Sequence, residues 1–116
     1  MRRLLVINPN TTESVSTLLQ HHVQRIAGSH VQVDTVTARF GAPYIACEAS
    51  YAVAGHALLD AWAADQCAMP HALPDAVLID WMLPNKSGLA LVRELRESER
   101  TADLPLIIVT ARGEEA

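Results

Sequence analysis

The side chains able to do chemistry fall into three groups. Asn8, Asn10, Thr11 and Thr12 lie in the stretch VINPNTTE, where a polar loop follows an apolar run and opens a segment of helical period. The free N–H groups and dipole at such a helix start attract anions, so weak binding of sulfate, phosphate or a small carboxylate is an alternative function for this loop. Asp80 closes the apolar run AVLID and Thr110 closes LPLIIVT, setting a carboxylate and a hydroxyl at the ends of two strand-length segments. Cys47 and Cys67 are the only thiols. Cys47 stands near the expected start of a helix, where a thiol pKa can be lowered, but free, packed and inert thiols are the expectation for both. They lack C-x-x-C spacing, and on one helix they would stand about 30 Å apart, beyond any disulfide. His21, His22, His30, His56 and His71 show no H-x-x-x-H or HExxH spacing, so surface histidines and no metal site are expected.

The elements that must hold these residues alternate in period. LLVIN reads as a first strand, followed by a helix with Val15, Leu18, Leu19, Val23 and Ile26 on one face. Asn10 is expected to cap that helix with Glu13 reaching back as in a capping box, and Gly28 to end it. VQVDTVT is the second strand, with the imperfect alternation of a sheet edge. After the loop ARFGAPYIA comes an Ala-rich helix over residues 48–65, with Tyr51, Ala54, Leu58, Leu59 and Trp62 on a shared face. AVLID is the third strand. KSGLALVRELRESER is the third helix, with Leu89, Val92 and Leu95 inward, and residues 104–110 form the fourth strand.

This βαβαβαβ order predicts one α/β domain over residues 1–116: a flavodoxin-like three-layer αβα sandwich on a parallel four-stranded sheet, order 2-1-3-4, truncated after strand 4. Such a sheet binds ligands where its strand order reverses, at the carboxyl ends of strands 1 and 3. Asn8, Asn10, Thr11, Thr12, Asp80, Trp81 and Thr110 are expected to meet in that crevice.

Composition narrows the function classes. Half of the residues are apolar and 19% are charged, a folded rather than a disordered balance. No apolar run is long enough to span a bilayer, and MRRLLVINPN does not read as a secretory signal, so a cytoplasmic protein without a membrane partner is expected. The formal net charge of −4 lies entirely in residues 65–116, which argues against a nucleic-acid surface.

Two resemblances enter through these motifs. ALPDAVLIDWMLPNKSGLALVRELRESERTADLPLIIVTARGEEA, residues 73–116 or thereabouts, closely resembles response-regulator receiver domains of the OmpR-like class. The resemblance implies that Asp80 matches the aspartate that takes a phosphoryl group and Thr110 the hydroxyl that hydrogen-bonds it. That family holds Mg²⁺ through an acidic pair after strand 1 and a lysine after strand 5. Here Asn8, Pro9 and Asn10 replace the pair, so Mg²⁺ is expected to bind weakly at best and no cofactor is expected. Residues 2–64, with VINPNTT and FGAPYIACEASYAVAGHALLDAW, resemble the amino-terminal part of the aspartate/glutamate/hydantoin racemase superfamily. That resemblance implies that the Asn8, Asn10, Thr11 and Thr12 loop holds substrate while two cysteines on opposite sides of a stereocentre exchange its proton. The first of those cysteines would fall near Asp80 or Trp81, where there is no thiol.

The two resemblances together lead us to expect an engineered chimera: a racemase-like segment 1–64, a junction at 65–72 and a receiver-like segment 73–116. No intact catalytic site is expected, and Asp80 and Thr110 are expected to be vestigial. Strand 4 should form an apolar, unpaired edge beside a bare sheet face, and a homodimer through either is the expected partner arrangement.

Overall fold

The computed structural model describes residues 1–68, 72–80 and 89–109. Four parallel strands, β1 (Arg2–Asn8), β2 (Val31–Thr37), β3 (Ala76–Asp80) and β4 (Leu106–Val109), lie in the order β2-β1-β3-β4. Helices α1 (Glu13–Ala27), α2 (Glu48–Ala68) and α3 (Leu89–Glu97) connect them. This is the flavodoxin-like order expected. Right-handed crossovers that run from β1 to β2 in one direction, and from β2 to β3 and β3 to β4 in the other, set α1 on one face of the sheet and α2 and α3 on the other.

Register assigns the side chains. Leu5 and Ile7 pair with Val77 and Ile79, which pair with Leu106 and Ile108, so these residues line the face toward α2 and α3. Leu58, Ala61 and Trp62 of α2 and Leu91 and Leu95 of α3 close that core. The inward row of α2, Ala54, Ala57, Leu58, Ala61, Trp62 and Asp65, follows the helical period. In α3 Leu91 and Leu95 are buried and Val92 is only half-buried, where Val92 was expected inward; the Leu89 side chain of the same expectation lies outside the described residues. Leu91 and Leu95 are four apart and therefore stack on one face.

One cluster of charges enters this face. The Arg3 guanidinium donates to Asp34 at 2.7 Å and to Asp65 of α2 at 2.6 Å, and the two carboxylates hold its pKa up against burial.

The opposite face carries Leu4, Val6 and Asn8 in register with Val33, Thr35 and Thr37. Here α1 packs on β1 and β2. Of its residues only Ser16 is buried, whereas Leu18 is 59% and Ile26 82% exposed, contrary to the expectation that both face inward. A footing two strands wide is narrower than the helix's apolar stripe. On β4, Ile107, Ile108 and Val109 are likewise exposed. At the end of α1, Gly28 takes φ +87°, a conformation favourable only to glycine, and its N–H donates to Gln24 O. No helix among the described residues is long and apolar enough to cross a membrane.

Candidate functional site

The carboxyl ends of β1 and β2 carry a buried polar network. β1 ends in Asn8, which is fully buried, and its amide cannot be left unpaired there without a cost of about 1–3 kcal/mol. Asn8 Nδ2 donates to Asn10 Oδ1 at 3.1 Å and to Ser16 Oγ at 3.0 Å, while Asn8 Oδ1 accepts from Asn10 N at 3.1 Å. Asn10 Oδ1 also accepts from Thr12 N at 2.9 Å. Ser16 and Thr37 share a hydroxyl contact of 2.5 Å, and Thr37 Oγ1 donates to Glu13 Oε1 at 3.1 Å. The network therefore runs from the end of β1 through the first turn of α1 to the end of β2.

The loop's geometry departs from the expected capping box. Thr12, not Asn10, holds the N-cap position, and its side chain does not cap the helix. Thr12 Oγ1 instead donates to Pro43 O at 2.6 Å, and Thr11 N donates to Ala42 O at 3.1 Å, which ties the residue 8–12 loop to the loop before α2. Asn10 serves by folding the turn and Glu13 by receiving Thr37. One consequence bears on ligands: the N–H groups of Asn10, Thr11 and Thr12 already have protein acceptors. Val15 and Ser16 donate to Thr12 O. The first-turn donors left without an acceptor among the described residues are Glu13 N and Ser14 N.

Asp80 ends β3, half-buried, beside Val109 of β4. Ile7 pairs with Ile79, so the next position along brings Asp80 level with Asn8 on the α1 face. Burial pushes the Asp80 carboxyl pKa up. Trp81 and Thr110 lie outside the described residues, and so does His71.

The thiols are not packed as expected. Cys47 and Cys67 are both exposed, the first directly before α2 and the second in its last turn. About 30 Å of helix separates them, so they do not converge on one carbon. Ser50 closes the turn at Cys47, its hydroxyl accepting from Cys47 N at 3.0 Å and donating to Cys47 O at 2.8 Å. His21, His22, His30 and His56 are exposed, and no group of three or more His, Cys, Asp or Glu suited to a metal occurs among the described residues.

Sequence reasoning missed Ser16 and Thr37. The one available signal was a small polar residue in the apolar stripe of α1, between Val15 and Leu19, with a strand-end hydroxyl to meet it.

The profile of the Asp/Glu/Hydantoin racemase family matches residues 4–107. The chain belongs to that family. The match continues past α2 through β3 and α3 into β4, further than the racemase resemblance read over residues 2–64. Among solved structures, an allantoin racemase from Pseudomonas fluorescens superposes with TM-score 0.67 at 22% identity, over 91% of this chain and 40% of that one. A sensor protein from Polaromonas sp. JS666 superposes with TM-score 0.58 at 22% identity, over 98% of this chain and 69% of that one. At these identities the two superpositions establish the fold.

A segment of the chain is also similar to response regulators. It is 55% identical over 42 residues to the phosphate regulon transcriptional regulatory protein PhoB of Pseudomonas aeruginosa, and 48% identical over 42 residues to PhoB of Escherichia coli. These matches span 36% of this chain and 18% of either relative. Racemase-like and receiver-like sequence thus coexist in this racemase-family chain.

Proposed function

We propose that this racemase-family chain is an engineered chimera whose role is structural, with racemase-like β1 to α2 and receiver-like β3 to β4 completing one sheet and no catalytic pair assembled. The observation that carries this reading is the placement of the thiols. Both lie on the surface at opposite ends of α2, while the end of β3 in the crevice presents a carboxylate. Proton exchange at a stereocentre needs two groups facing one carbon from opposite sides. The test is polarimetry on single enantiomers of aspartate, glutamate and a substituted hydantoin. No loss of optical rotation is expected, and racemisation that disappears in Cys47→Ser would overturn the reading. The reading extends to a second copy covering the exposed apolar side chains of β4, and light scattering from a stable monomer at high concentration would remove that part.

A second reading, phosphoryl transfer to Asp80, is favoured by the receiver similarity and by Asp80's position at the crevice. Against it stand the amides of Asn8 and Asn10 where a cation would want carboxylates. Acetyl phosphate with Mg²⁺, followed by intact mass, separates the two: a stoichiometric phosphoryl adduct lost in Asp80→Asn would install this second reading. Weak anion binding at Glu13 N, Ser14 N and the Thr11 hydroxyl is compatible with either.

A further inference from the structure

β2 is an edge strand, and half of its free edge is already occupied. In a parallel ladder successive residues direct their N–H and C=O groups to opposite sides. Ala38 N donates to Asn8 O, so Gln32, Asp34 and Val36 address β1, while Val31, Val33, Thr35 and Thr37 face outward. Two glutamines of α1 cover the first of these. Gln24 Nε2 donates to Val31 O at 2.8 Å, and Gln24 Oε1 accepts from Val33 N at 3.1 Å. Gln20 Nε2 donates to Val33 O at 2.6 Å, and its Oε1 accepts the Thr35 hydroxyl at 2.6 Å. The side-chain ladder ends there. The outward backbone groups of Thr35 and Thr37 meet no partner among the described residues.

Beside that open stretch runs a groove of about 390 Å³, walled by Glu13 from α1, by Ala61, Ala64, Asp65 and Ala68 from α2, and by Arg39 after β2. The alanines stand at helical spacing and leave depth next to the strand. Charge around the groove is unbalanced. Of the charged side chains that line it, Asp65 is already paired with Arg3 and Arg39 with Asp60, which leaves Glu13 without a cation among the described residues. Among the described residues Glu13 holds only a neutral hydroxyl.

We propose that the Thr35–Thr37 stretch of β2 is a docking edge for an extended, basic peptide segment. The peptide adds to the sheet as a strand outside β2, its main chain bonding Thr35 and Thr37. A small side chain faces the alanines, and a lysine or arginine reaches Glu13. Charge selects this occupant over a second copy of the chain, which would bring the same carboxylates to the edge and repel.

The test uses the intact chain and a short capped peptide alternating lysine and valine, with a glutamate–valine peptide as control. The lysine peptide is expected to slow amide hydrogen exchange at Thr35 and Thr37. Thr35→Pro removes an outward N–H that the sheet does not use, and it should weaken the peptide about tenfold, as expected for one hydrogen bond of ordinary strength. Glu13→Gln, which leaves the strand intact, should weaken it by about threefold and reduce its salt dependence. Unchanged exchange at Thr35 and Thr37, or equal binding of the glutamate peptide, overturns the proposal. Protection of the same amides by raised protein concentration alone also overturns it, because that assigns the edge to a second copy.

Discussion

The two faces of the sheet are built on opposite principles. Toward α2 and α3, Leu5, Ile7, Val77 and Ile79 are fully buried under Leu58, Trp62, Leu91 and Leu95, and stability there comes from apolar area removed from water. Toward α1, burial is concentrated at Val6 and Val33 and at a cluster of amides and hydroxyls, Asn8, Asn10 and Ser16, while Leu18 and Ile26 remain in solvent. One face is held by packing and the other by the requirement that buried polar groups find partners. The chemistry in the crevice belongs to the second face, because Asn8 and Asp80 lie on the α1 side of the sheet.

Mutation should separate the two principles. Leu91→Ala in the packed face is expected to cost about 2–5 kcal/mol in urea unfolding, whereas Leu18→Ala on α1 should stay within about 0.5 kcal/mol. Equal costs would erase the distinction. On the α1 face the sensitive position is polar. Asn8→Ala strips Asn10 N of its acceptor and Ser16 Oγ of a donor, for an expected loss of about 1–3 kcal/mol. Its signature in amide exchange should be faster opening at Asn10 and Thr12, with the α2–α3 core unchanged.

The smallest effect concerns pH. Burial raises the Asp80 pKa, so the folded chain binds that proton more tightly than the unfolded chain. Between the ordinary carboxylate value and the raised one, the folded state holds more protons, and stability falls as pH rises through that window. Asp80→Asn should therefore raise Tm slightly at neutral pH and flatten its acid-side dependence. Asp60 works in the opposite direction. Its hydrogen bond from Arg39 lowers its pKa, so its contribution is present above the ordinary value and is lost as pH falls through the lowered one. A Tm profile that Asp80→Asn leaves unchanged would show that Asp80 is hydrated in the folded chain.

Much of the fold was legible because apolar periodicity and crossover handedness are local or nearly local rules. AVLID, VQVDTVT and the Ala-rich helix appeared within a few residues of their expected bounds, and the order β2-β1-β3-β4 followed from the alternation of elements. The site was less legible. Asn10 and Glu13 fit a capping box by spacing, but a spacing rule does not contain Pro43 O or the Thr37 hydroxyl, which come from other elements and take Thr12 and Glu13 as partners. The stripe on α1 likewise gave no sign that the helix would stand on two strands and leave Leu18 and Ile26 uncovered.

By itself the sequence determined the α/β class, the parallel sheet and the identity of the residues at its carboxyl ends, since strand length, helix period and crossover hand leave one economical arrangement. Only the tertiary structure decided which of those residues have their hydrogen-bonding groups already engaged, that both thiols lie on the surface, and that the glutamines of α1 stop short of Thr37. Each of these depends on contacts between residues far apart in the chain, and no local pattern encodes the distance between two elements once they have packed.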